Sequence, residues 1–244
     1  MEVRLTMLPN LGLHDVDRVS PSKREAARTR VRAARPEDVP ILERLNHEAY
    51  PDLVEEGVVF DARQLALHQE RFAEGQVVAE LAAPARDLPA GAVVGALATL
   101  IVPGERALAP HTWYAITDDG TFSTHDPTGD TLYLADVYVG KAAWGLGVGP
   151  SLYDALFATC ARLGLARVVA GGRMWSYFAY AAELTPEEYV RDVVDGRIKD
   201  RVLQGQLAAG FRVTGILPNY LQDARSGGYA TFLEWSPPSR GSRD

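Results

Sequence analysis

The sequence predicts a single α/β domain with a mixed sheet, and three observations predict it. The stretch 132–163, LYLADVYVGKAAWGLGVGPSLYDALFATCARL, runs as a strand, then a glycine cluster (Gly145, Gly147, Gly149), then an amphipathic helix. After Gly164, which reads as that helix's cap, the apolar run ARVVAGG (166–172) has the composition of a buried strand parallel to the first, closing a βαβ unit. Elsewhere, strand-like runs are joined by turn-rich connections, PARDLPAG (84–91) and the Pro218-Asn219 turn, which call for antiparallel pairs.

In chain order, residues 1–28 carry little regular pattern. RVSPSKREAARTR (18–30) is polar, basic and broken by Pro21, so this segment reads as a flexible leader. The domain runs from 29 to 236, beginning with TRVRAA as a short strand. Pro36-Glu37-Asp38 opens a helix to Tyr50, with Val39, Ile41, Leu42, Leu45 and Ala49 on its apolar face, and Pro51 stops it. Asp61 caps a second helix that turns Leu65, Leu67, His68 and Phe72 inward and ends at Gly75. Two strands follow, 76–83 and 92–102. The second, AVVGALATLIV, is apolar throughout and so belongs inside the sheet, with Gly95 marking a bulge or a close backbone approach.

Residues 103–130 form an excursion of turn formers, aromatics and two histidines, and 172–199 form an insertion whose Thr185-Pro186-Glu187-Glu188 is a capping box. Both interrupt the regular order of strands and helices, and segments this long are expected to line a pocket. A helix at 201–209 capped by Gly210 precedes two closing strands, FRVTGIL and GYATFLEW, and the tail 237–244 reads as disordered.

Composition excludes several classes. The chain carries 25 Lys and Arg against 32 Asp and Glu, a net charge of −7, which argues against nucleic acid as a partner. The single cysteine, Cys160, excludes an internal disulfide framework and fits a reducing cytoplasm. It shares a helix face with Leu152, Leu156, Phe157 and Leu163, which assigns it to the core rather than to nucleophilic catalysis. No apolar run reaches the roughly 18 residues of a membrane span, and the N-terminus lacks a signal-peptide core. The histidines never fall at ligand spacing, so no metal is expected. Exposed sheet edges of such folds often pair, which leaves a homodimer open.

A strand feeding a glycine turn that opens a helix aims unpaired N–H groups and the positive helix end at one point, which suits a phosphate. Three phosphate signatures compete for 144–149. The P-loop fails because no Lys-Ser or Lys-Thr follows the glycines. The dinucleotide fingerprint fits poorly, because the spacing is G-x-G-x-G and the next strand ends in Ala170-Gly171-Gly172 rather than in an acid. The third fits: WGLGVGPSLYDAL resembles the pyrophosphate-binding turn of the GNAT N-acetyltransferases, Q/R-x-x-G-x-G/A after a strand, with Gly147 and Gly149 on the small positions. The order of elements from about 29 to 235 is similar to that family's fold, and Gly210-Phe211 resembles its closing GF. HTWYAIT, HDPTGDTLYLADVYV, AGGRM and FRVTGILPNYLQDARSGGYATFLEW look like a subgroup in which some members are fused to a carbon–nitrogen hydrolase domain.

The resemblance implies an acyl-CoA N-acyltransferase fold, with acetyl-CoA as co-substrate and direct transfer of the acetyl group to an amine of a small molecule or peptide. It implies that Trp144, Gly145, Leu146, Gly147, Val148, Gly149, Pro150 and Ser151 hold the pyrophosphate. The strand edge Val137, Tyr138 and Val139, chiefly Val137 and Val139, would pair with the pantetheine arm. The family's general base, a carboxylate on or near this strand, points to Asp136 and, as second choice, to His125 beside Asp126. Trp144 departs from the pattern at the Q/R position, and Pro150 removes one amide just inside the helix. The family's acid, a tyrosine about four residues before the GF glycine, is Gln206 here, so the acid is unassigned. These departures leave a non-catalytic acyl-CoA-binding module as the alternative to an enzyme.

Overall fold

The computed structural model describes Thr6–Met7 and residues 29–238. Its elements are β1 (Thr6–Met7), β2 (Thr29–Ala33), α1 (Val39–Ala49), α2 (Ala62–Phe72), β3 (Gln76–Leu81), β4 (Val93–Val102), the short α3 (Gly104–Leu108) and α4 (Trp113–Thr117), and β5 (Thr131–Val139). They continue with α5 (Val148–Arg162), β6 (Arg167–Arg173), α6 (Pro186–Val194), α7 (Arg201–Ala209), β7 (Arg212–Leu217) and β8 (Ala230–Trp235). One sheet takes the order β1-β7-β8-β6-β5-β4-β3-β2, antiparallel throughout except at β5–β6. Within the segment read as a flexible leader, Thr6–Met7 pair with Ile216 and Gly215 of β7. The rest of that leader, and the tail beyond 238, lie outside the described residues.

Local chemistry sets the boundaries. The Asp61 side chain accepts from Gln64 N while Gln64 returns a bond to Asp61 N, and Thr185 and Glu188 do the same at the start of α6. Gly210 ends α7 at φ 112°, a left-handed turn that suits glycine. The sheet buries both faces. On one side α5, α6 and α7 contribute Leu152, Leu156, Cys160, Tyr189, Val193 and Leu203. On the other, α1 and α2 contribute Leu42, Leu45 and Leu65, joined by the excursion's Trp113, Ile116 and Phe122. Cys160 is fully buried, and burial pushes its thiol up to about 11, so it stays protonated and out of any covalent step.

One irregularity shapes the middle of the sheet. Ala98 pairs with Asp136 but the next residue, Thr99, pairs with Leu134, so Ala135 is an extra residue in β5. Its carbonyl accepts the Trp113 indole N–H at 3.2 Å, which stabilises the bulge from the excursion. The parallel β5–β6 pairing stops just before it, at Leu134↔Ala170. Beyond that point β5 follows β4 to Val139 while β6 follows β8 to Arg173, and the two central strands part. Gly171 and Gly172 lie where β6 leaves. A Cβ on Gly171 would sit 2.2 Å from the Tyr220 ring, whose hydroxyl is bonded to Tyr133 at 2.8 Å. Gly171→Ala is therefore expected to cost about 1–3 kcal/mol through overpacking, read as a lower urea midpoint at unchanged slope.

Candidate active site

The split between β5 and β6 is lined according to register. Gly140 N donates to Val94 O at 2.9 Å, and the pairs Ala96↔Tyr138 and Ala98↔Asp136 follow at two-residue steps. The main-chain groups of Asp136, Tyr138 and Gly140 therefore turn to β4, and those of Val137 and Val139 turn to the split. Tyr138 presents no backbone group there, and its side chain is buried with the hydroxyl 3.3 Å from Leu42 O. Both open carbonyls have a side-chain donor within reach: the Tyr50 hydroxyl lies 2.8 Å from Val137 O, and the Trp144 indole N–H donates to Val139 O at 2.9 Å.

The glycine turn stands at the end of this edge. Gly145 and Gly147 both have φ 78°, a left-handed backbone that glycine adopts without strain, and Gly147 is the N-cap of α5. Within the described residues the N–H groups of Gly145, Gly147, Val148 and Gly149 meet no acceptor. Leu146 differs from the expectation, because its N–H closes a turn onto Ala143 O at 3.2 Å and its side chain is buried. Pro150 lies in the first turn of α5, where an N–H has no helical partner, so it removes one ligand-facing donor but no helix bond. Ser151 Oγ bonds back to Gly147 O at 3.2 Å. A Cβ built on Gly149 meets nothing within 4 Å, so the space over the turn is open.

Two arginines far away in sequence flank the turn. Arg86, from the β3–β4 connection, donates to Ala142 O at 2.7 Å and to Trp144 O at 2.9 Å. Arg201, the first residue of α7, stacks on the Trp144 ring at 4.3 Å. Trp144 itself aims its only donor at the β5 edge, so the positive charge at this turn comes from neighbours rather than from the Q/R position.

Asp136 is partly exposed on the α1 side of the split. Asn46 Nδ2 donates to its Oδ2 at 2.6 Å, and the Tyr50 hydroxyl lies 2.8 Å from its Oδ1. Asn46 is oriented in turn by Phe60 N, which donates to its Oδ1 at 2.8 Å. Burial raises the Asp136 carboxyl to about 6, against these donors and the Arg173 charge, which lower it. A carboxylate at that value is ionised at neutral pH yet basic enough to take a proton.

The opposite face of the split carries Tyr153 on α5 and Gln206 on α7. Gln206 is buried, its Oε1 has no partner, and a Cβ on Gly172 would sit 2.7 Å from that atom. Burial holds the Tyr153 phenol well above its usual range; Gln206 lowers it and the Asp136 charge raises it further. Sequence reasoning missed Tyr153 because it reads as one more apolar position of the helix.

His125 is not brought to Asp136. Its Nδ1 accepts from Ile101 N at 3.0 Å and its ring stacks on Phe72, and Ile101 pairs with Leu132 at the start of β5. Four residues of strand, about 13 Å, separate that level from Asp136. There it lines an open groove with Arg71, Asp130 and Leu163. The excursion thus serves both ends of the sheet, with Trp113 near the split and His125 at the far end. Arg173 is committed to ion pairs, bidentate to Asp223 at 2.7 and 2.8 Å and to Asp52 at 2.7 Å. Tyr220 bonds to Tyr133 at 2.8 Å and Tyr177 to Leu184 O at 3.0 Å.

Comparison with known proteins points to one family. Residues 46–181 match the model of the acetyltransferase (GNAT) family. An uncharacterised N-acetyltransferase of Bacillus subtilis, YkwB, is 33% identical over 198 residues, covering 81% of this chain and 84% of that protein. The probable hydrolase YhcX of the same organism is 38% identical over 173 residues, 70% of this chain but 32% of its own length, in keeping with the hydrolase-fused subgroup. Among solved structures, the GNAT-like decarboxylase GphF in complex with isobutyryl-CoA aligns at TM-score 0.67 and 27% identity, covering 85% of this chain and 98% of that one. The loading GNATL domain of CurA from Lyngbya majuscula shares the fold at TM-score 0.69 and 19% identity, over 85% of this chain and 97% of its own. The chain belongs to the GNAT acetyltransferase family.

Proposed function

We propose that the protein is an acetyl-CoA-dependent N-acetyltransferase acting on an amine by direct attack. The observation that carries this reading is Asp136, raised to about 6 and held by Asn46 and Tyr50 beside an open strand edge. The four unpaired turn amides, with Arg86 and Arg201 beside them, would hold the pyrophosphate, and the Val137 and Val139 edge would pair with the amides of the arm. Asp136 takes a proton from the acceptor amine as the C–N bond forms. The C–S bond then breaks with its electron pair on sulfur, and the proton that Asp136 took from the amine passes to the departing thiolate, while Tyr153, whose raised phenol stays protonated, hydrogen-bonds the sulfur. Buried Cys160 forms no acyl-enzyme.

A second reading is favoured by one observation, the 27% identity and TM-score of 0.67 to a GNAT-like decarboxylase. In that reading the same split binds an acyl-CoA bearing a carboxylate and releases carbon dioxide. Calorimetric titration with acetyl-CoA, followed by thiol release against a panel of amines, tests the first reading. Thiol release with at least one amine is expected. Carbon dioxide release from malonyl-CoA without transfer to any amine would favour the second, and tight binding without either reaction would point to a non-catalytic acyl-CoA-binding module.

A further inference from the structure

We propose that Tyr50 couples occupancy of the β5 edge to ionisation of Asp136, so that the thioester substrate and the charged base favour one another. The inference rests on the acyl-CoA reading above and adds a positioning residue to it. The Tyr50 hydroxyl carries one proton and lies 2.8 Å from two acceptors, Asp136 Oδ1 and Val137 O. A single O–H cannot donate fully to both.

Two arrangements follow. When Asp136 is ionised, its charged oxygen is the stronger acceptor and takes the phenol proton. Val137 O then faces only a phenol lone pair and stays free for an incoming amide N–H. When Asp136 is protonated, its proton resides on Oδ1, because Asn46 Nδ2 already donates to Oδ2 at 2.6 Å. That proton points at the Tyr50 oxygen, and the phenol turns its own O–H to Val137 O. One of the carbonyl's two lone pairs then carries the phenol proton, so the oxygen is a more crowded and weaker acceptor for the arm's N–H. The two states differ by one hydroxyl rotation.

Other groups around Asp136 bias this equilibrium without joining it. Arg173 on β6 favours the ionised form, and Tyr138 on β5, Tyr153 on α5 and Tyr220 before β8 sense its charge. Among the described residues, Tyr50 is the side chain that touches both Asp136 and the open edge. Coupling of this kind is reciprocal: an edge occupied by an amide favours the ionised carboxylate, and ionisation tightens binding at the edge.

The test is titration calorimetry with dephospho-CoA between pH 5 and pH 7.5, chosen because a terminal phosphate itself titrates near pH 6. For the unmodified protein, affinity is expected to rise roughly three- to tenfold with pH, the worth of one hydrogen bond. In Tyr50→Phe the affinity is expected to be flat, and the acidic limb of kcat/KM to move to higher pH because the carboxylate has lost a donor. Asp136→Asn, which does not titrate, is expected to be flat as well and carries the test if the phenylalanine variant folds poorly. Flat affinity in the unmodified protein, or a full pH slope retained in either variant, overturns the inference alone. No dephospho-CoA binding at any pH overturns the acyl-CoA reading and the inference with it.

Discussion

Asp136→Asn is expected to abolish turnover while making the protein more stable at alkaline pH. Loss of a general base costs about 10²- to 10⁴-fold in rate. The stability gain follows from the raised carboxyl, which titrates at about 6 when folded against 3.8 in its ordinary state. Between those values the folded chain holds a proton that the unfolded chain has released. The contribution is therefore fully present below the unfolded value and lost as pH rises through about 6. At pH 8 the folded protein carries a partly desolvated charge, and the neutral carboxamide removes that cost, an effect of about 1–3 kcal/mol at most. Thermal melts at pH 4 and pH 8, alongside kcat/KM with acetyl-CoA, check both halves. The variant should melt several degrees higher at pH 8, and the gap should close toward pH 4. Retained activity, or a lower melting point at pH 8, would remove Asp136 from the role of base.

The second large effect is expected at Gly149. Its φ is not left-handed and an added Cβ meets no protein atom, so nothing in the fold requires glycine there. In a helix interior leucine is favoured over glycine by roughly 0.5–1 kcal/mol. Gly149→Leu should therefore fold at least as well as the natural chain while filling the space over the turn. Acetyl-CoA affinity is expected to fall about 100-fold or more, since several charge-assisted bonds to the turn amides would be blocked. Gly147→Leu is a less informative change, because φ 78° strains any side chain there and would confuse misfolding with lost binding.

Much of the fold was legible because strong local signals agree with one another. Asp61, the Thr185–Glu188 box and Gly210 mark helix ends by their own chemistry, and the apolar run of β4 could only be an interior strand. The glycine turn was legible from spacing. The split was not, because it depends on the Ala135 bulge and no feature of an alanine announces an extra residue in a strand. The partners of Asp136 were invisible for another reason. Asn46 and Tyr50 lie 90 and 86 residues away, one on a helix whose apolar face explains it without them and the other just past its end. In the sequence Arg86 belongs to a hairpin connection and Arg201 to the start of a short helix, yet folding carries both to the turn where Trp144 fills the usual polar position. His125 shows the converse error: seven residues before Leu132 is close in sequence, but an extended strand carries its far end well away from that start.

The most direct measurement is a crystal structure of the acetyl-CoA complex. The pyrophosphate is expected within hydrogen-bond distance, about 2.7–3.2 Å, of the N–H groups of Gly145, Gly147, Val148 and Gly149. The arm should be paired to Val137 and Val139, and the thioester carbon should lie between Asp136 and Tyr153. Density for the cofactor in the groove of Arg71, His125 and Leu163, or along the closed side of β5, would contradict the account.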